Sequence, residues 1–130
     1  MKHQPIVLLP ILLLLLVSNG CEKHPFDYRN KFIGDYDFSV HKNVWDVTGV
    51  DIDTYYNYSG KISYGSGDHL VKINFLDDAE IECWLFEDGS LRYIIKEGEF
   101  ESTKNVYFII DYRSVGSGTI YNVSGEKTKR

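Results

Sequence analysis

Nowhere does this chain carry an apolar run long enough to cross a bilayer. The longest, Ile6 to Val17, is interrupted only by Pro10 and gives way to Ser18, Asn19 and Gly20, whereas a spanning helix needs about 20 apolar residues. Cysteine is scarce: Cys21 and Cys83 are the only two, so at most one disulfide can form within the chain. Positive charge is also short, with 14 Lys and Arg against 19 Asp and Glu. That balance has the wrong sign for tracking a nucleic-acid backbone or for clamping anionic headgroups with the protein surface. No window shows a capped helical stripe. The histidines after Gly20, namely His24, His41 and His69, lack the spacing of a helical H-E-x-x-H pair, and no EF-hand loop is present. No nucleophile, base and orienting group can be nominated together, so neither an enzyme nor a cofactor or metal protein is expected.

What is present begins with an address. Lys2 and His3 form a short polar, basic start, and Ile6 to Val17 has the length of a signal-peptide core. Three small or fairly small residues, Ser18-Asn19-Gly20, then precede Cys21, and the stretch LLVSNGCEKH resembles a bacterial lipoprotein signal. The resemblance implies cleavage before Cys21, a thioether-linked diacylglycerol on its sulfur and acylation of the new amine. Each buried methylene contributes about 0.8 kcal/mol and stable anchoring needs more than one chain, so such a product stays on its membrane. Ordinary secretory cleavage is the alternative, leaving Cys21 free to pair with Cys83 in an oxidising compartment. On the lipoprotein reading Cys83, between Ile81 and Leu85 in an alternating run, packs in the core as a small hydrophobe.

The expected organisation is a signal segment over 1–20, a lipidated tether over 21–30 on which Phe26 and Tyr28 could dock, and one domain over 31–130. Removing Lys2 with the leader takes the net charge from −5 to −6. From Lys31 the chain alternates: Phe32, Gly34, Tyr36, Phe38 and Val40 interleave with Ile33, Asp35, Asp37, Ser39 and His41, the pattern of a half-buried strand. Further runs follow at 50–58, 60–64, 70–76, 80–86, 91–96, 105–113 and 119–123. Between them lie connectors such as Gly65-Ser66-Gly67-Asp68, Asp77-Asp78, Glu87-Asp88-Gly89-Ser90 and Gly116-Ser117-Gly118, which suit hairpins because Gly and Asp tolerate positive φ. The sequence therefore predicts an all-β antiparallel meander of about eight strands, closed into a squat, mostly filled barrel or packed as a sandwich. Glu97, Glu99 and Glu101 would share one face of a strand as a solvated edge.

The segments KFIGDYDFSV, YSGKISYG, HLVKINF and SVGSGTIYNVSGEK are similar to the small Bacteroidota lipoproteins whose domains are lipocalin-like β-meanders. That resemblance implies a lipid-anchored envelope protein, expected at the outer membrane and facing periplasm or exterior, with no shared catalytic motif to carry over. Ten Tyr, seven Phe and two Trp form the one compositional excess. Aromatics favour strands, and they also suit a ligand cavity or an interface. Two functions follow as expectations. One is a non-catalytic binding module for a small apolar or sugar ligand, contacted by Trp45, Tyr56, Tyr58 and Trp84; the other is an accessory lipoprotein that binds another envelope protein.

The anchor is directly measurable. Native mass spectrometry after mild extraction is expected to give the mass of residues 21–130 plus a diacylglyceryl and an acyl group. An unmodified mass would mean ordinary secretion.

Overall fold

The computed structural model describes residues 26–128. Eight strands run in chain order: β1 (Gly34–Asp46), β2 (Asp51–Tyr64), β3 (Leu70–Leu76), β4 (Ala79–Leu85), β5 (Leu91–Arg92), β6 (Ile95–Phe100), β7 (Asn105–Ser114) and β8 (Ser117–Lys127). All ladders are antiparallel, and the sheet order is β5-β4-β3-β2-β1-β8-β7-β6, so each strand lies beside its neighbours in sequence and the last returns to the first. A bridge between Ser90 and Glu99, with the Phe100 N–H donating to Gly89 O at 2.8 Å, draws the two ends of the sheet together. The result is a nearly closed barrel, the all-β meander expected from the alternation. No helix among the described residues is long and apolar enough to cross a membrane.

Alternation sends one side chain in two to the interior. Tyr36, Phe38 and Val40 from β1 meet Ile62, Val71, Ile73 and Phe75 from β2 and β3, Cys83 and Leu85 from β4, and Phe108 and Ile110 from β7. Each such side chain contributes roughly 1.5–3 kcal/mol when withdrawn from water, and these large ones fill the bore. The Tyr36 hydroxyl, which would be costly if unpaired, donates to Phe32 O at 2.7 Å. Its burial raises the phenol pKa well above the usual value.

Two departures from the sequence-based strand limits leave the total at eight. The runs at 50–58 and 60–64 are one strand, β2, because Gly60 continues the ladder. A Cβ at Gly60 would sit 1.9 Å from the Asn74 carbonyl oxygen, so only glycine permits that approach. Conversely the run at 91–96 is cut by Tyr93 (φ 64°) and Ile94 (φ 66°), which separate β5 from β6. Beyond the Gly60 crossing β3 leaves β2: the two pair only from Lys61↔Asn74 to Tyr64↔Val71, and Asp51–Tyr58 is laddered on the β1 side alone.

The two ends of the barrel differ. At one, a 3-10 helix (Tyr28–Lys31) packs across the bottom, capped by Asp27, whose carboxylate accepts from the Arg29 N–H at 2.9 Å. Arg29 is buried there, its guanidinium held by Asp27, by Gly67 O at 2.9 Å and by Leu70 O at 2.7 Å, and lying over the Tyr64 ring. The hydrogen bond with Asp27 raises the Arg29 pKa further above its usual value. Tyr28 docks on the domain through a hydroxyl that donates to Leu85 O. At the other end β1, β2, β7 and β8 run past their shorter neighbours.

Replacing Gly60 by Ala should force Asn74 away from β2 and cost about 1–3 kcal/mol, the usual price of overpacking. The expected reading is a lower urea midpoint at constant m-value. An unchanged midpoint would show that the approach is not constraining.

Candidate functional site

The filled bore moves the question of binding to the rims and the outer wall. Tyr58 points inward and packs against the core, whereas Tyr56, also inward, is 39% exposed at the open end. Tyr121 lies near that same end, in edge contact with Phe75 and Tyr112 and with Lys42 Nζ 5.8 Å from its ring centre. Trp45 and Trp84 are elsewhere. Trp45 faces outward late in β1, its indole covering Gly118, where a Cβ would approach the ring to 2.6 Å. Trp84 faces outward late in β4, on the wall near the plugged end. The structure thus brings Tyr56 and Tyr58 onto one strand face and separates both tryptophans from them and from each other. Cys21 lies outside the described residues.

A shallow groove of about 410 Å³ crosses the outer wall over β2, β1, β8 and β7. Its composition follows from the registers. Asn57, Ser39, Ser124 and Tyr107 stand side by side in one row, and Tyr55, His41, Asn122 and Ile109 in the next. The two middle strands supply Ser39, His41, Asn122 and Ser124 as the floor, and the outer two supply Tyr55, Asn57, Tyr107 and Ile109 as the walls. The His41 ring stacks on Tyr55 with centroids 4.6 Å apart and planes 8° off parallel. Tyr55 is 74% exposed, so its stacking is held by the imidazole and not by burial.

A polar network fixes the wall beside it. His41 Nε2 meets Asp53 Oδ1 at 2.7 Å, and Asn43 Nδ2 donates to Asp51 at 2.7 Å and to Asp53 at 3.0 Å. These hydrogen bonds, His41's first, hold the Asp53 carboxyl below the usual carboxylate range. Across the groove the Tyr107 hydroxyl donates to Glu97 at 3.4 Å, and the nearby glutamates raise its pKa after desolvation has done so. Glu97 and Glu99 lie on β6 opposite Ile109 and Tyr107, and Glu101 falls in the bend that follows. The rim is therefore acidic and disfavours anions.

Chemically the groove offers hydroxyls, amides and stacked ring faces. Ser39 Oγ is directed at Asn57 Oδ1, 3.5 Å away, while the His41 imidazole is engaged with Asp53. Neither contact sets a base against the Ser39 hydroxyl. No group of three or more His, Cys, Asp or Glu side chains among the described residues is arranged to hold a metal. Of the residues nominated from the sequence, only Tyr56 touches this groove, at its edge. Ser39, His41, Tyr55, Asn57, Tyr107, Asn122 and Ser124 are not among those nominated residues. Only the ladder registers place them together, and alternation marks them merely as outward-facing.

Compared with protein-family models, with curated proteins and with solved structures, the chain matches none.

Cys83 is fully buried, and burial pushes its thiol up to about 12 from 9.0, with Glu82 adding to the effect. Below pH 9.0 the thiol is protonated folded or unfolded; above it the unfolded chain ionises first, so stability should fall as pH rises toward about 12. At neutral pH iodoacetamide is expected to leave Cys83 unmodified in the native protein and to modify it in denaturant, read by peptide mass mapping. Rapid native labelling of Cys83 would contradict its burial.

Proposed function

We propose that this chain is a lipid-anchored envelope protein whose barrel is a non-catalytic binding module for a small, neutral, polyhydroxylated ring such as a sugar. The observation that carries the reading is the two-row groove. The exposed ring of Tyr55 and the half-buried ring of Tyr107 flank a floor of Ser39, Ser124 and Asn122. A sugar ring has apolar faces that stack on aromatics and edge hydroxyls that pair with amides and hydroxyls. The acidic rim selects against anionic ligands, and the bore where a purely apolar ligand would sit is occupied by core side chains such as Phe38, Phe75 and Phe108. The anchor is supported by the Ser18-Asn19-Gly20-Cys21 stretch behind a signal-length apolar core, and with such an anchor the module would sit in the cell envelope, on our reading at the outer membrane.

A second reading, an accessory subunit bound to another envelope protein, is favoured by the strand edge at Asp51–Tyr58, which is laddered on one side. An extended partner segment can add to such an edge. Cross-linking in native membranes that repeatedly captured one protein through this edge would favour that reading.

Titration of the domain with neutral mono- and oligosaccharides, followed by amide chemical shifts, should move signals of the two rows. Shallow sites of this kind bind weakly because little area is buried against the cost of association. Tyr55→Ala should weaken binding by about tenfold, the loss of roughly 1.4 kcal/mol of stacking, with little change in thermal midpoint because Tyr55 is exposed. Saccharides that leave every groove signal in place would refute the reading.

A further inference from the structure

Near the plugged end, the outer wall carries a linked series of rings. Tyr28 faces His69 with centroids 6.0 Å apart, His69 stacks on Trp84 at 4.8 Å, and Trp84 meets Phe86 at 6.0 Å and Tyr93 at 5.9 Å. The Tyr28 hydroxyl also joins His69 Nδ1 at 2.9 Å, which ties the series to the 3-10 helix. Much of this surface is open: Phe86 is 42% exposed, Tyr93 65% and Ile94 59%. Tyr93 and Ile94 both have left-handed backbones, unfavourable for any side chain and most so for a β-branched one. Such conformations cost on the order of 1–3 kcal/mol each, yet the residues they present meet water.

We infer that this aromatic face is seated in the headgroup region of the membrane that holds the protein, an inference that rests on the anchor at Cys21 proposed above. Tether length carries the argument. Phe26, 98% exposed, is two residues ahead of Tyr28, and Cys21 is only five residues before Phe26. Fully extended, five residues reach at most about 18 Å. An acylated Cys21 therefore keeps the plugged end, with its rings, close to the bilayer surface. Rings with an apolar face and a polar tip, as in Trp84 and Tyr93, settle at the interface between hydrocarbon and water. Glu87 and Asp88, in the turn after Phe86, match zwitterionic headgroups better than anionic ones. In this orientation the long ends of β1, β2, β7 and β8 point away from the membrane.

The two tryptophans make the test internal, since Trp84 lies on the aromatic face and Trp45 toward the opposite end. The acylated mature protein, residues 21–130, would be placed in phosphatidylcholine vesicles whose acyl chains carry bromine, a contact quencher of indole emission. Trp45→Phe leaves Trp84 as the reporter, and Trp84→Phe leaves Trp45. The inference expects Trp84 emission to be quenched and blue-shifted while Trp45 emission is unchanged. Equal quenching of both, quenching of Trp45 alone or quenching of neither would overturn it. The mass of the same samples separates the two ideas. An acylated protein with unquenched Trp84 loses only this orientation, whereas an unacylated mass removes the anchor and the orientation together.

Discussion

Everything else in the barrel depends on the ladder between its first and last strands. From Tyr36↔Lys127 to Asp46↔Ser117, β1 and β8 pair along almost their whole length, and without that zip the meander would be an open sheet with two long bare edges. Closure at this strand number leaves a bore that side chains can fill, and Tyr36, Phe38, Phe75 and Phe108 fill it. A filled bore hands recognition to the outside. The same ladder creates the groove, because it sets Ser39 beside Ser124 and His41 beside Asn122, joining two hairpins into one continuous four-strand face.

Arg29 plays the complementary part at the plugged end. A guanidinium withdrawn from water is costly unless every donor finds an acceptor. Here Asp27 and the carbonyls of Gly67 and Leu70 supply them, and the Tyr64 ring covers the flat face. The arrangement ties the segment before β1 to the β2–β3 connection. It also fixes where the chain enters the domain, and so which end any upstream attachment must hold.

Much of this architecture is legible in the sequence, since Tyr36-Asp37-Phe38-Ser39-Val40 or Val71-Lys72-Ile73-Asn74-Phe75 can bury one face only as strands. What was not legible has specific causes. Ser59-Gly60 reads as a break, but Gly60 is there to admit the Asn74 carbonyl. Tyr93-Ile94 reads as mid-strand, because strong β-formers give no hint that their backbones will be left-handed. Arg29 reads as tether, since a lone charge in a short polar segment shows nothing of the carbonyls that will surround it. Trp45 and Trp84 stood out by size and proved to lie apart. The groove is built of Ser, Asn, His and Tyr, whose common placement arises only from strand register.

The departure of β3 from β2 at Gly60 bears on how the groove behaves over time. Asp51–Tyr58 shares its backbone hydrogen bonds with one neighbour instead of two, so opening this half of β2 breaks fewer bonds than opening any doubly paired strand. Local opening free energies follow such differences. Tyr55 and Asn57 belong to that half, whereas Tyr107 and Ile109 on the far side belong to β7, which is paired on both flanks there. The groove therefore has one stiff wall and one yielding wall. A ligand seated between them would tighten the yielding side as it binds, and part of its binding energy would go into ordering that strand.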